Sequence, residues 1–141
     1  MTWSCTIPFE PVAMGRPRFS GGKFPRAYLP KKTRAWIGAA THILESQWRD
    51  APLAGPVAVE IVFVHSRPKR LCRRKDPAGR IWRGVRPDID NLVKCALDAL
   101  QGAGIITDDG QVVALVALDQ YARKDEDSKV TIAVINVDEI G

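Results

Sequence analysis

Hydrophobic and polar residues alternate from Thr2 to Phe9. Trp3, Cys5, Ile7 and Phe9 fall on one side and Thr2, Ser4 and Thr6 on the other, the period of a half-buried strand. The stretch PVAMGRPRFSGGKFPRAYLP then loses all periodicity, and Pro11, Gly15, Pro17, Gly21, Gly22, Pro25 and Pro30 rule out regular structure over any length. From Lys31 to about Asp50 the apolar positions Trp36, Ile37, Ala40, Ile43, Leu44 and Trp48 recur at helical spacing, which makes both tryptophans core residues. Pro30 suits the first turn of that helix, whereas Leu29 is a poor cap. Pro52, Gly55 and Pro56 break the chain before Pro56–Val64, a β-branched run that reads as a strand.

His65–Arg86 is polar and aperiodic. A loop of more than about 15 residues in a compact domain is usually functional or disordered. Asp88–Gln101 is the clearest helix, with Ile89, Leu92, Val93, Ala96, Leu97 and Leu100 in one stripe and Gly102 and Gly104 to stop it. Val112–Leu118 is apolar on both faces, as a buried central strand would be. Lys124–Lys129 is a charged turn, and Val130–Val137 a last strand. The order β-α-β-α-β-β predicts a mixed sheet with two main helices packed on it: a single α/β (α+β) domain over 1–141, with a basic loop at about 65–87.

Composition narrows the function. With 141 residues, 45% hydrophobic and 26% charged, the chain has the balance of one globular domain. No apolar run approaches a membrane span, and MTWSCTIPFEP does not read as a secretory leader. Cys5, Cys72 and Cys95 are scattered, and only His42 and His65 supply imidazoles. A disulfide framework and a zinc site are therefore disfavoured, and a reducing cytoplasm is the expected location.

The net charge is +5, and sixteen of the 21 cations lie in two segments. Gly15–Arg34 holds Arg16, Arg18, Lys23, Arg26, Lys31, Lys32 and Arg34. His65–Arg86 holds Arg67, Lys69, Arg70, Arg73, Arg74, Lys75, Arg80, Arg83 and Arg86, against one acid, Asp76. Neither segment has the apolar face of an interfacial helix, so the expected partner is a nucleic acid and not a membrane.

The segment RPDIDNLVKCALDALQGAGIITDDGQVV concentrates the candidate chemistry. Asp88 and Asp90 flank Ile89 at a helix start, where the positive end of the helix dipole favours their ionised forms. Converging ionised carboxylates suit a hard cation such as magnesium. Lys94 follows Asp90 by one helical turn. Each feature also has a plain structural reading. Asp88 is a good N-cap, Asp90 a normal first-turn acid and Asp90–Lys94 an ordinary surface ion pair, while Asp108, Asp109 and Gly110 are a turn signal. A calcium-binding loop does not fit, because Leu92 falls where a third oxygen ligand is needed.

RPDIDNLVKCALDAL followed by GIITDDGQVV resembles the signature of RusA-type Holliday junction resolvases. That signature combines Asp-x-Asp-Asn at a helix start, a Lys four residues after the second Asp, and Asp-Asp-x-Gln-Val after the helix. PVAMGRPRF and AYLPKKTRAW are similar to segments of prophage-encoded members, so the likeness spans about Thr6 to Val113. The resemblance implies that Asp88, Asp90 and Asp109 are essential acids that hold Mg2+ or Mn2+, and that Lys94 is the essential lysine. It further implies a homodimer that resolves four-way DNA junctions by paired nicks during recombination and repair, with no membrane involved. The basic segments would grip the phosphate backbones, through Arg16, Arg18, Lys31, Lys32, Lys69, Arg70, Arg73, Arg74, Lys75, Arg80, Arg83 and Arg86. Trp82 reads first as a loop anchor and second as a platform for an unpaired base. Two other functions fit the same residues: a nuclease for flaps or other branched DNA, and a non-catalytic nucleic-acid-binding module.

Overall fold

A computed structural model describes residues 2–137. Nine strands and helices follow in order: β1 (Thr2–Ile7), β2 (Arg18–Phe19), β3 (Ala27–Tyr28), α1 (Lys31–Gln47), β4 (Val57–His65), β5 (Ile81–Trp82), α2 (Ile89–Gly102), β6 (Val112–Tyr121) and β7 (Lys129–Asn136). The five-stranded sheet runs β1-β7-β4-β6-β5. β4 and β6 are parallel, joined by the crossover that contains α2, and the other pairs are antiparallel. This is the mixed-sheet α+β domain that the element order predicts. No helix among the described residues is long and apolar enough to cross a membrane.

Both helices lie on one face of the sheet. Val57, Val59, Ile61 and Phe63 of β4 and Val130, Ile132 and Val134 of β7 point to that face. They pack with Trp36, Ala40 and Leu44 of α1 and Leu92, Ala96 and Leu100 of α2. Trp48 is buried and meets Trp3 edge-on at a centroid distance of 5.3 Å. The α2 stripe is wider than the apolar pattern suggested, since Cys95 and Ala99 are also buried, while Ile89 stays exposed at the helix start. α1 begins behind Pro30 without a side-chain cap, as Leu29 and Pro30 foretell.

Two expectations need correction. The proline- and glycine-rich stretch after β1 does contain regular structure, a short hairpin in which Arg18 pairs with Tyr28 and Phe19 with Ala27. More consequentially, β6 is not a buried central strand. β4 covers one of its edges, but among the described residues β5 pairs only with Tyr121 and Gln120 on the other, so Val112–Leu118 presents an edge free of any described strand. Val113, Leu115 and Val116 are exposed on it.

The basic loop is folded, and the cause is Arg67. Its guanidinium donates to the carbonyls of Ala122 (3.0 Å), Leu71 (3.4 Å), Pro77 (2.5 Å) and Gly79, so one side chain ties together four points of the loop and its neighbour. Arg73 pairs with Asp76, and Arg80 with Glu126 at 2.6 Å. The Arg80 hydrogen bond is the main reason that the Glu126 carboxyl is held down at about 2. The segment therefore carries fewer uncommitted charges than its sequence suggests.

Candidate active site

Asp88 occupies the N-cap position of α2, yet its side chain makes no capping hydrogen bond. Its carboxylate is thus available for other work, and the structural explanation for an acid at this position loses ground. The backbone leading into it is tightly held. Arg83 donates to the carbonyls of Arg86 (2.7 Å) and Pro87 (3.2 Å) and to Asp119 Oδ2 (3.0 Å). Behind this pair, His65 Nε2 lies 2.7 Å from Asp119 Oδ1. Burial, then the Arg83 charge, lower the His65 pKa against the opposing pull of Asp119 and Glu10.

Arg83, expected among the DNA-facing cations, is buried instead. At 7% exposure, with its guanidinium engaged by a carboxylate and two carbonyls, it is a brace for the Asp88 segment. The other expected cations, Arg16, Arg18, Lys31, Lys32, Lys69, Arg70, Arg73, Arg74, Lys75, Arg80 and Arg86, are exposed, with Arg73 and Arg80 engaged in ion pairs. Trp82 is 69% exposed, so it does not anchor the loop against the domain. It lines a groove of about 800 Å³ with Val85, Arg86, Asp88, Ile89 and Leu118.

Asp90 and Lys94 lie on the exposed side of α2, one turn apart. The ordinary ion pair between them is not formed: among the described residues, Lys94 has no carboxylate within ion-pair distance. Asp98, one further turn along, extends this side of the helix into an Asp90–Lys94–Asp98 row. Burial and then the charge of Asp109 raise the Asp98 pKa.

The turn that carries Asp109 is built around Gln111. Its Oε1 accepts from the Thr107 N–H (2.7 Å), the Thr107 hydroxyl (2.8 Å) and the Asp108 N–H (3.2 Å). Its Nε2 donates to the carbonyls of Leu53 and Gly55, both at 2.9 Å. Asp108 is the capping partner of Gln111 in this 3₁₀ turn, Asp109–Gln111. Gln111→Ala leaves these groups without their shared partner. We expect it to cost about 2 kcal/mol in urea unfolding, and an unchanged midpoint would mean that the turn is held by its backbone alone.

The expected convergence of acids does not occur within one chain. Asp88 and Asp90 sit by the Ala117–Asp119 end of β6, whereas Asp109 immediately precedes its Val112 end. Those ends are roughly 20 Å apart at the rise of an extended strand. Among the described residues, no three His, Cys, Asp or Glu side chains come together as a metal cluster. Spacing in the sequence located each acid on its element but said nothing of which strand end each would occupy. Asp119 was missed too. A lone acid inside the apolar run VVALVALDQY was the available signal, because such a residue is rarely buried without a partner. His65 offered no comparable signal.

Comparison with known proteins gives a consistent picture. The model of the family described as endodeoxyribonuclease RusA matches residues 8–135. The uncharacterized protein YqaN of Bacillus subtilis strain 168 is 30% identical over 126 residues, covering 84% of this chain and 87% of its own. The crossover junction endodeoxyribonuclease RusA of Shigella sonnei is 32% identical over 112 residues, and that of Escherichia coli K12 is 31% identical over the same length. Each alignment covers 79% of this chain and 78% of the relative.

Proposed function

The chain belongs to the RusA endodeoxyribonuclease family, and from that membership we propose that it is a metal-dependent homodimer that resolves four-way DNA junctions by paired nicks in recombination and repair. One observation carries the dimer: β6 has a free apolar edge whose two ends hold the two halves of the acid set. Two copies pairing these edges antiparallel, about a twofold axis, bring the Asp109 end of each strand to the Asp88 and Asp90 end of the other. The same pairing covers Val113, Leu115 and Val116, whose exposure in a single chain is otherwise unexplained.

The donor set fits a hard divalent cation, Mg2+ or Mn2+. Asp88, Asp90 and the partner's Asp109 offer only carboxylate oxygens, and neither Asp88 nor Asp109 is committed to a capping bond. When bound, the cation supplies charge neutralisation at the phosphate and a water of lowered pKa. The chain's own residues do the rest. Arg83 fixes the backbone that presents Asp88, Gln111 fixes the turn that presents Asp109, and Lys94 places a positive charge beside the site where the transition state gains negative charge. The exposed cations hold the four arms by their phosphates, so that branch geometry and not base sequence sets the register. Two sites related by a twofold axis suit cuts on two opposed strands.

The test is incubation of the protein with a labelled four-way junction and with linear duplex, in magnesium or EDTA. Paired nicks in the junction alone, and only in magnesium, are expected. Junction binding without cleavage in magnesium would mean a non-catalytic module, and faster cutting of flaps would reassign the substrate.

A further inference from the structure

The hairpin of β2 and β3 holds Phe19, Phe24 and Tyr28 out in water, at 71%, 80% and 42% exposure. Apolar rings of this size are normally buried, and the arm leaves Phe19 and Phe24 largely in solvent. The arm is ordered: Arg18 pairs with Tyr28, Ser20 N–H donates to the Arg26 carbonyl and the Ser20 hydroxyl accepts from the Arg26 N–H, both at 2.9 Å. Gly22 turns its tip with φ +105°, a conformation that favours glycine. The charged residues of the segment itself are all cations. Arg16, Arg18, Lys23 and Arg26 lie on the arm, Lys31 and Lys32 follow it, and no acid occurs between Glu10 and Glu45.

Its base is fixed next to the acids. Met14 N–H donates to the Asn91 carbonyl in the first turn of α2, at 2.9 Å. The Thr33 hydroxyl accepts from the Gly15 N–H (3.2 Å) and donates to the Ala13 carbonyl (3.3 Å). Gly15 approaches so closely that a Cβ there would lie 2.7 Å from Pro30 Cγ. The base of the arm therefore lies beside the first turn of α2, where Asp88 and Asp90 stand.

Flat apolar rings among cations match a polyanion that offers flat apolar faces. Intact duplex hides those faces in its stack, whereas base pairs at a branch point can be opened. We propose that this hairpin is the branch reader of the enzyme: Phe19 and Phe24 stack on bases unstacked at the crossover while the neighbouring cations hold the flanking phosphates. This rests on the reading of the chain as a branched-DNA nuclease, and it adds how branched DNA is told from linear DNA.

The test compares the unaltered protein with a Phe19→Ala, Phe24→Ala double variant. Equilibrium binding in EDTA is measured on a four-way junction with 2-aminopurine beside the crossover, and on linear duplex. Both residues are exposed, so thermal unfolding of the variant should match the parent. We expect junction affinity to fall on the order of tenfold or more, with duplex affinity within about twofold, because phosphate contacts dominate it. The 2-aminopurine response should be lost with it and restored by Phe19→Tyr, Phe24→Trp. Equal losses on both DNAs, or no loss on the junction, would overturn the branch-reading role. So would a variant that sediments as a monomer where the parent is a dimer, because the rings would then cover a second copy. If the unaltered protein discriminates junctions but never cleaves them, the nuclease reading fails and the hairpin result still stands.

Discussion

Mixing two inactive variants, Asp90→Asn and Asp109→Asn, should restore nicking of a four-way junction. Each variant alone should show no cleavage while still binding DNA, because the change removes a ligand oxygen charge and also lessens repulsion of the phosphates. In the mixed dimer, one composite site carries both lesions and the other carries none. With free exchange of chains about half of the dimers are mixed, so roughly a quarter of the wild-type sites return. Their products should be single nicks and not paired cuts, since each mixed dimer has one working site. Mixing Asp88→Asn with Asp90→Asn is the control. Both acids lie in the same half of the set, so neither composite site is intact and nothing is restored. If tagged chains prove that exchange occurred and the Asp90/Asp109 mixture stays silent, the acids act within one chain and the β6 pairing is wrong. If Asp109→Asn alone cleaves and Asp108→Asn does not, the essential acid is the neighbouring one.

The main elements were legible because their burial is periodic. The stripe Leu92, Val93, Ala96, Leu100 can face only one way on a helix, and the alternation around Cys5 and Ile7 only one way on a strand. β6 shows where such reasoning stops. A run that is apolar on both faces states that both faces are to be covered, but the covering layer can be the same chain or a second one. Formal charge misled in a related way. Arg83 and Arg86 look alike in the basic segment, yet one is buried against Asp119 and the other is exposed. The difference lies in Asp119, which is distant in sequence and reaches Arg83 only because β5 pairs with β6. The acids were found by motif and spacing. Their division between the two ends of β6 follows from the direction of the α2 crossover, which no local pattern encodes.

Lys94 is where stability and catalysis give opposite answers. It is exposed on α2 and takes part in no ion pair among the described residues, so Lys94→Ala should cost under about 0.5 kcal/mol of stability. DNA affinity should also change little, because one cation among so many contributes a small share of the phosphate contacts. A long cationic side chain held one turn from Asp90 without a protein partner is instead suited to the phosphate, where charge develops as the bond to the leaving oxygen breaks. Removing a positioned group of that kind typically slows chemistry by about 100-fold or more. Single-turnover cleavage at saturating enzyme measures this step apart from binding. We expect the rate constant to fall by that factor in Lys94→Ala and to recover in part in Lys94→Arg, which keeps the charge but not the compact ammonium geometry. A near-normal rate in Lys94→Ala would return Lys94 to the helix surface, and the carboxylates and their cation would then have to account for the rate alone.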